Sequence, residues 1–244
     1  LDRSSAASDV YKRQPENLTH LLASYKKEHD EHFESRFGLI KSGMHANHVE
    51  AAREITSQLI GGIGYYYGES LVDRRPLNDS GMYLHDMHGA MPKPEGPHSL
   101  LTATPSRSFF PRGFYWDEGF HLLHIGAWDA ELASMIFGSW THLMDKNGWV
   151  AREQILGEEA RSQVPREFQT QYPQHANPPT LIFGLNSMLD EYHSRVKEAQ
   201  EDLEGVNYIQ RADLGDMDRM HKKLESLYPH WKRHYELSLI HISE

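Results

Sequence analysis

The sequence contains no cysteine among its 244 residues. Disulfide bonds and thiolate metal sites are therefore excluded, although this absence does not fix the cellular compartment. The chain also has no run of about 18 apolar residues, the shortest that could cross a bilayer as a helix. Basic residues are few, because 25 lysines and arginines stand against 35 aspartates and glutamates, a formal net charge of −10. A generally basic surface is excluded, so we expect no nucleic-acid partner.

Aromatic residues, in contrast, are plentiful. They make up 11% of the chain, which argues against disorder. A chain of this length suits one large domain or two small ones. It can bury about three-quarters of the surface that it exposes when unfolded. The composition therefore favours a folded protein with a sizeable core.

The two ends of the chain differ in composition from the rest. Residues 1–14 read LDRSSAASDVYKRQ and residues 237–244 read LSLIHISE. Both strings resemble translated sequencing-adapter read-through; an ordinary N-terminal tail and the end of a helix are the alternative. We expect residues 1–14 to be a disordered, non-native tail and residues 237–244 to be a second non-native tail. The genuine sequence is then expected to cover residues 15–236, cut at both ends from a larger domain.

Apolar residues recur with helical spacing in six segments. The spacing predicts helices over residues 17–37, 48–59, 118–128, 130–144, 180–204 and 210–236. Asp129 is a candidate N-cap, and residues 145–148 (DKNG) are a turn signal. No segment alternates clearly between apolar and polar residues, and residues 69–111 are rich in proline and glycine, so we expect a long loop there. Helices separated by long loops predict an all-α fold, such as a helical toroid or bundle.

Four glycines follow the second predicted helix, in the string GGIGYYYG: Gly61, Gly62, Gly64 and Gly68. Glycine ends helices readily and, having no Cβ, allows another segment to come close to its backbone. We therefore expect a close backbone contact in this region.

Two carboxylates directly follow three aromatic residues in the string PSRSFFPRGFYWDEGFHLL, residues 105–123. Asp117 and Glu118 stand behind Trp116, and an acid among aromatic rings is desolvated, which raises its pKa. A raised pKa suits a general acid, which must hold a proton near neutral pH. If both residues open a helix, their side chains diverge by about 100°, so only one points into a given pocket. The alternative is structural, because two acids also stabilise the positive end of a helix dipole.

Two later segments carry residue types that commonly contact sugars. They are GWVAREQILGEEARSQVPREF, residues 148–168, and QHANPPT, residues 174–180. Tryptophan stacks on the apolar face of a sugar ring, while carboxylates, guanidinium groups and amides hydrogen-bond to its hydroxyls. Each segment alone has a simpler explanation, since a charged run such as EEAR is commonly a solvated helix face.

Taken together and in this order, four strings resemble glycoside hydrolase family 63, the family of the processing α-glucosidases. They are GGIGYYYG, FFPRGFYWDEGFH, GWVAREQILGEEAR and HANPPTL, and the resemblance covers roughly residues 45–190 closely. It implies an (α/α)6 toroid of six helical hairpins, present here in part, with long loops that form a pocket at one end. It also implies an inverting hydrolase of the endoplasmic reticulum that removes the terminal α-1,2-linked glucose from the precursor N-glycan. The implied partner is an oligosaccharide, and no metal or cofactor is implied.

The resemblance places the general acid of the family at Asp117. Trp116 would shape the sugar subsite and help to desolvate that acid. The full set of implied substrate-contact residues is Phe110, Arg112, Phe114, Trp116, Glu118, His121, Glu153, Glu158, Arg161, His175 and Asn177.

One part of the family pattern has no match in the chain. The general base of the family is a glutamate near the end of the catalytic domain, and residues 190–244 do not resemble that part. Glu153 and Glu159 are weak candidates within the chain. The parent protein is expected to be a single-pass membrane protein whose anchor is absent from this segment. We therefore predict that the segment alone is an incomplete toroid without glucosidase activity, which measurable release of glucose from a triglucosylated glycan would contradict.

The remaining patterns are weaker. His85, Asp86 and His88 could suggest a metal site, but a zinc site normally needs three or four ligands and no others are identifiable. Sequons for N-glycosylation begin at Asn17 and Asn78 and agree with a luminal location. Two alternatives to the processing glucosidase stay open: another (α/α)6 hydrolase of α-glucosides, and a catalytically inactive carbohydrate-binding protein on the same fold.

Overall fold

The computed structural model describes residues 15–75, 92–175, 177–201 and 208–242. The candidate metal ligands His85, Asp86 and His88, the sequon at Asn78 and the tail of residues 1–14 lie outside these ranges. Within the described residues, no helix is both long and apolar enough to cross a membrane. The chain divides into two compact units, residues 1–57 and residues 58–244.

The first unit contains helix α1 (Pro15–Phe37) and most of helix α2 (Ala46–Gly61). Phe33 is its most buried aromatic residue and packs against Phe37, with the ring centroids 4.9 Å apart. The guanidinium carbon of Arg53, on α2, lies 5.7 Å above the centre of the Phe33 ring. A small aromatic contact, bordered by charged side chains, thus joins the two helices.

The second unit is mostly helical and contains short strands. In chain order its elements are β1 (Gly64–Val72), β2 (Lys93–Thr102), β3 (Gly113–Phe114), α3 (Tyr115–Trp128), α4 (Ala130–His142), β4 (Glu153–Gln154), α5 (Gly157–Ser162), a 3₁₀ turn (Arg166–Phe168), β5 (Thr170–Gln171), α6 (Leu181–Glu201) and α7 (Tyr208–Ile242). Within the described residues the predicted helices are confirmed, with ends shifted by up to six residues; residues 202–204 of the fifth predicted helix lie outside the described ranges. The capping prediction is confirmed too, since Asp129 Oδ1 accepts a hydrogen bond from Leu132 N at 2.9 Å. The turn at residues 145–148 closes with Gly148 N donating to Asp145 O at 2.9 Å.

The prediction of a purely α-helical chain without strands was wrong for β1 and β2. These strands pair antiparallel, with Gly64 opposite Thr102 and Val72 opposite Lys93, and β5 pairs with β1 on its other side. Burial does alternate along β1, but small or polar residues occupy most of the inward positions while Tyr65 and Tyr67 face outward. The hydrophobic pattern therefore does not show the strand. The prolines of β2 are tolerated because β2 lies at the edge of the sheet.

Helices α3, α4, α6 and α7 surround the main core of the second unit. Helix α3 packs against α4 and α6, and α7 packs against α4 and α6. The buried apolar residues of this core include Leu100, Tyr115, Leu122, Ile125, Ile136, Phe137, Trp140, Leu181, Met188, Leu224 and Trp231. The apolar faces that the sequence pattern assigned to these helices are therefore buried against one another.

Two glycines permit close approach of neighbouring backbones. A Cβ at Gly119, in α3, would lie 2.3 Å from the carbonyl carbon of Thr180, just before α6. A Cβ at Gly68 would lie 2.5 Å from Gly157 N, and Gly68 has a φ of +153° that side-chain-bearing residues rarely adopt. The close backbone contact expected near GGIGYYYG is thus present, between β1 and the start of α5.

Helix α7 extends further than predicted. It runs through residue 242 and includes Leu237 and Ser238, of which Ser238 is buried. This conformation does not decide where residues 237–244 come from, so their foreign origin stays a prediction.

Candidate active site

Strands β3 and β4 bring the two richest sequence motifs together. Gly113 pairs with Gln154, and Phe114 pairs with Glu153, in a two-stranded antiparallel ladder. Immediately after β3, Tyr115 N donates to Arg152 O at 2.9 Å. Residues far apart in sequence are therefore held side by side at the N-terminus of α3.

A cavity of about 330 Å³ opens beside this ladder. Its lining comes from three segments: the end of β3 with the start of α3, the residue before β4, and the loop that precedes α6. The lining residues are Phe114, Trp116, Asp117, Arg152, Asn177 and Pro178. Three of the four strings that resemble family 63 thus meet at one cavity.

Asp117 and Glu118 diverge at the start of helix α3, as the helical geometry predicts. Asp117 is partly exposed and lines the cavity. Glu118 is completely buried. One of its oxygens accepts a hydrogen bond from Ala103 N at 3.1 Å, and the other lies 2.8 Å from Nδ1 of His121. Glu118 therefore joins α3 to the backbone just after β2, His121 holds the Glu118 carboxylate in place, and neither residue lines the cavity.

A buried ion pair lies next to the lining residues. The Arg112 guanidinium contacts the carboxylate of Glu153, and both side chains are almost fully buried. The guanidinium carbon of Arg112 also lies 5.8 Å and 5.3 Å from the ring centres of Phe110 and Phe114. None of Phe110, Arg112 and Glu153 lines the cavity, so in this structure they support the position of Phe114 on its wall.

The remaining predicted contact residues lie apart from the cavity lining. Glu158 is exposed on α5, and Arg161 Nη1 donates to Glu69 O at 2.7 Å. His175 is exposed, and its carbonyl accepts from the indole N–H of Trp149 at 3.2 Å. Glu159, the weak candidate for a base, is exposed on α5 as well.

Asn177 differs from this group because it is buried and still lines the cavity. Its Nδ2 donates to Val150 O at 3.1 Å, which ties the loop before α6 to the segment that leads into β4. Thr180 Oγ1 donates to Trp116 O at 2.7 Å and ties the same loop to α3. These two bonds hold the third wall of the cavity against the other two.

Sequence reasoning did not select two of the lining residues, Arg152 and Pro178. Arg152 stands directly before Glu153 in the VAREQ stretch, and Pro178 belongs to the ANPPT string. The only signal in the sequence that could have indicated them is that each is the direct neighbour of a predicted contact residue, Glu153 or Asn177. For Arg152 and Glu153, which of the two faces the cavity depends on the register of the two-residue β3–β4 ladder, and such a ladder leaves no periodic pattern in a sequence.

The electrostatics of the buried groups around the site follow from desolvation. Burial raises the pKa of Tyr115 well above its ordinary value, because the phenolate would lose its hydration. Burial lowers the pKa of His234, whose ring packs against that of Tyr115, and the Gly148 carbonyl opposes this effect only partly. Both groups are therefore neutral around pH 7.

Comparison with known proteins connects this site to a family. The Glycosyl hydrolase family 63 C-terminal domain matches residues 13–240. The mannosyl-oligosaccharide glucosidase of Saccharomyces cerevisiae is 40% identical over 237 residues, which cover 90% of this chain and 28% of the yeast protein. The probable mannosyl-oligosaccharide glucosidase of Schizosaccharomyces pombe is 37% identical over 241 residues, or 91% of this chain and 30% of the relative.

A plant relative shows the same relationship. The mannosyl-oligosaccharide glucosidase of Arabidopsis thaliana is 38% identical over 202 residues, which cover 81% of this chain and 22% of the plant protein. The chain thus spans less than a third of the length of each of these relatives. Because the family domain matches far more than half of the chain and includes all three walls of the cavity, the chain belongs to glycosyl hydrolase family 63.

Proposed function

We propose that the protein of which this chain forms part is an inverting α-glucosidase that removes the terminal α-1,2-linked glucose from the precursor N-glycan. The observation that carries the proposal is the position of Asp117, which is the one acid among the lining residues of the described cavity and shares that lining with the aromatic residues Phe114 and Trp116. Family membership and the names of the relatives support the same substrate class.

In this mechanism Asp117 is the general acid. Its protonated carboxyl donates a proton to the glycosidic oxygen as the bond to the terminal glucose breaks. Phe114 and Trp116 offer apolar faces to the sugar ring. Arg152 and Asn177 supply polar groups on the opposite walls for its hydroxyls.

An inverting reaction needs a second carboxylate, about 6.5–9.5 Å from the first, to activate a water molecule. Glu153 does not suit this role, because it is buried in its ion pair with Arg112. Glu159 is exposed and does not line the cavity. With these two candidates unsuited, we propose that the base comes from a part of the parent protein outside this chain.

The assignment of the helices to a particular fold, the (α/α)6 toroid, is also a proposal. We infer that α3, α4, α6 and α7 belong to an (α/α)6 toroid. The short connection between α3 and α4 supports this, as does the packing of α3 and of α7 against both α4 and α6. The cavity beside the N-terminus of α3 corresponds to a pocket at one end of such a toroid.

The location of the parent protein is also a proposal. A glucosidase that acts on the precursor N-glycan requires contact with newly glycosylated proteins, so we propose the lumen of the endoplasmic reticulum and a membrane anchor outside this segment. Protease treatment of intact and detergent-opened microsomes tests this location. Digestion of the catalytic domain in intact microsomes would contradict it.

The activity is tested on the full-length protein with a triglucosylated N-glycan. We expect release of glucose that is initially the β-anomer, detected by NMR immediately after mixing, because inversion converts the α-linkage. Glycans that end in an α-1,3-linked glucose serve as the control and should not react. No released glucose would contradict the proposed activity, and equal hydrolysis of simple α-glucosides would favour the alternative of another α-glucoside hydrolase.

Replacing Trp116 by Ala should weaken substrate binding more than it weakens the fold. The side chain is 47% exposed, so the cost to stability should stay well below the about 3–5 kcal/mol of a buried tryptophan. Loss of its stacking surface should raise KM by about tenfold. Phe120→Ala is the matched control, because Phe120 is 46% exposed and contacts Trp116 without lining the cavity. An equal rise in KM in both variants would contradict a stacking role for Trp116.

A further inference from the structure

A buried histidine on the last helix lies next to the candidate active site without lining it. His234, on α7, is 2% exposed. Its Nδ1 lies 2.7 Å from Gly148 O, and its Nε2 lies 2.5 Å from the hydroxyl of Tyr115. The imidazole thus contacts two segments that are far from it in sequence, and the mechanism above does not use it.

The partners of the ring fix its tautomer. Gly148 O can only accept a hydrogen bond, so Nδ1 of His234 carries the proton. In the neutral ring Nε2 is then an acceptor, and the Tyr115 hydroxyl donates to it. The lowered pKa of His234 and the raised pKa of Tyr115 agree with this pair of neutral groups.

Both partners of His234 belong to segments that carry cavity residues. Tyr115 lies between Phe114 and Trp116 and two residues before Asp117. Gly148 begins the segment that leads to Arg152, and Tyr115 N donates to Arg152 O at 2.9 Å. The imidazole, the phenol and this backbone bond therefore connect the two walls that carry Asp117 and Arg152.

The contact between α7 and the second wall is tight. Gly148 has a φ of +89°, and a Cβ at this position would lie 2.7 Å from His234 N. The backbone of this wall is thus in direct contact with α7. The ring also bonds to Gly148 O, four residues before Arg152 in the chain.

We propose that His234 is a positioning residue for the reaction, which, in its neutral form, holds Asp117 and Arg152 at their places on opposite walls of the cavity. The inference rests on the proposed function, because it concerns the placement of the general acid. It adds a residue outside the cavity, from α7, to the groups on which turnover depends.

The proposal has a consequence for pH dependence. The groups that face the ring are the Tyr115 hydroxyl from α3, the Gly148 carbonyl and the Trp231 ring on α7, so no carboxylate among these neighbours stabilises an imidazolium. Protonated His234 would present an Nε2–H to Tyr115 and could no longer accept its hydrogen bond. The contribution of His234 to turnover should therefore be constant while the ring is neutral, and it should be lost only as the pH falls through the folded pKa of His234, below about 6.5.

Stability should change with pH in the same direction. The folded pKa of His234 lies below its ordinary value, so the unfolded chain binds the proton more readily. This contribution to stability is fully present above about pH 6.5 and is lost as the pH falls from there towards the lowered pKa. The readout does not depend on activity.

The first experiment compares two single substitutions in the full-length protein. Tyr115→Phe keeps the buried ring and removes the hydroxyl that Nε2 accepts from. Thr141→Val is the matched control, since Thr141 Oγ1 accepts from Trp231 Nε1 at 2.9 Å and so joins α7 to α4 away from the cavity. We expect Tyr115→Phe to lower kcat by about tenfold or more, with KM within about threefold, because small misplacements of catalytic groups are costly. Thr141→Val should lower the melting temperature and leave kcat unchanged.

The second experiment replaces His234 itself. His234→Gln offers an amide oxygen near the place of Nε2 and cannot gain a proton, so kcat at pH 7.5 should stay within about threefold of the wild type. As the pH falls below about 6.5, the decline of the melting temperature and of kcat should be shallower in this variant than in the wild type, by the part that His234 contributes. His234→Leu keeps most of the volume but removes both hydrogen bonds of the ring, so it should lower kcat at least as much as Tyr115→Phe does.

The outcomes separate this inference from the proposed function. Wild-type protein without glucosidase activity would contradict the proposed function and the inference together. An active wild type in which Tyr115→Phe and Thr141→Val both lower stability, but leave kcat unchanged, would overturn the inference alone. So would a His234→Gln variant with the same pH profiles of kcat and melting temperature as the wild type.

Discussion

The substitution Asp117→Asn in the full-length protein is expected to lower kcat by about a thousandfold, within the range known for the loss of a general acid. The amide has the size of the acid and keeps its place on the cavity wall, but it cannot deliver a proton to the leaving oxygen. The change should leave KM and the melting temperature close to their wild-type values, since Asp117 is partly exposed and lines the cavity. Initial rates of glucose release from a triglucosylated glycan measure the effect.

The neighbouring acid provides the control. Glu118 is buried and bonded to Ala103 N and His121, so Glu118→Gln should lower stability and change kcat much less than Asp117→Asn does. Near-normal turnover in Asp117→Asn would remove Asp117 from the role of acid. A larger loss of kcat in Glu118→Gln than in Asp117→Asn would reverse the assignment of the two carboxylates.

The second large effect concerns stability. Glu153→Gln should destabilise the catalytic domain by about 3–5 kcal/mol, because Arg112 would keep its charge in a buried site without its partner. Without Glu153, the Arg112 charge would keep its contacts with the Phe110 and Phe114 rings, but its Nη1 has no hydrogen-bond partner within the described part of the chain. The midpoint of urea unfolding, followed by tryptophan fluorescence in the full-length protein, measures the change.

Two further variants test whether the loss of stability comes from the broken ion pair. Glu158→Gln, on the exposed surface of α5, should change stability by no more than about 0.5 kcal/mol. The double variant Arg112→Met with Glu153→Leu should recover much of the lost stability, since a buried ion pair can be exchanged for apolar residues of similar volume. Equal stability of Glu153→Gln and the wild type would show that Arg112 reaches water or another partner in solution.

Sequence reasoning predicted the helices well, and the reason lies in their amphipathic pattern. Asp129 and the DKNG turn mark the boundaries of α4 by local chemistry that needs no tertiary information. Strand β1 was missed because its exposed positions hold Tyr65 and Tyr67, the residues that a hydrophobic pattern assigns to the interior. Strand β2 was missed because its prolines suggest a loop unless its place at the edge of a sheet is known.

Some of the candidate site could likewise be predicted from the sequence, and some could not. The divergence of Asp117 and Glu118 follows from helical geometry, and the structure places only Asp117 on the cavity. Arg152 could not be chosen over Glu153, because their roles depend on which of the two meets Phe114 in the β3–β4 ladder. His234 could not be found at all, since 119 residues separate it from Tyr115 and only the packing of α7 brings them together.

Gly119, the glycine in the string WDEGF, sets how closely two segments of the cavity wall can pack. A single methyl group on Gly119 would collide with the backbone of Thr180, whose hydroxyl bonds to Trp116 O. The absence of a side chain at Gly119 therefore allows α3 to lie this close to the residue that precedes α6. A related sequence with a larger residue there would have these two segments further apart, and its cavity would have a different width even if the acid were retained.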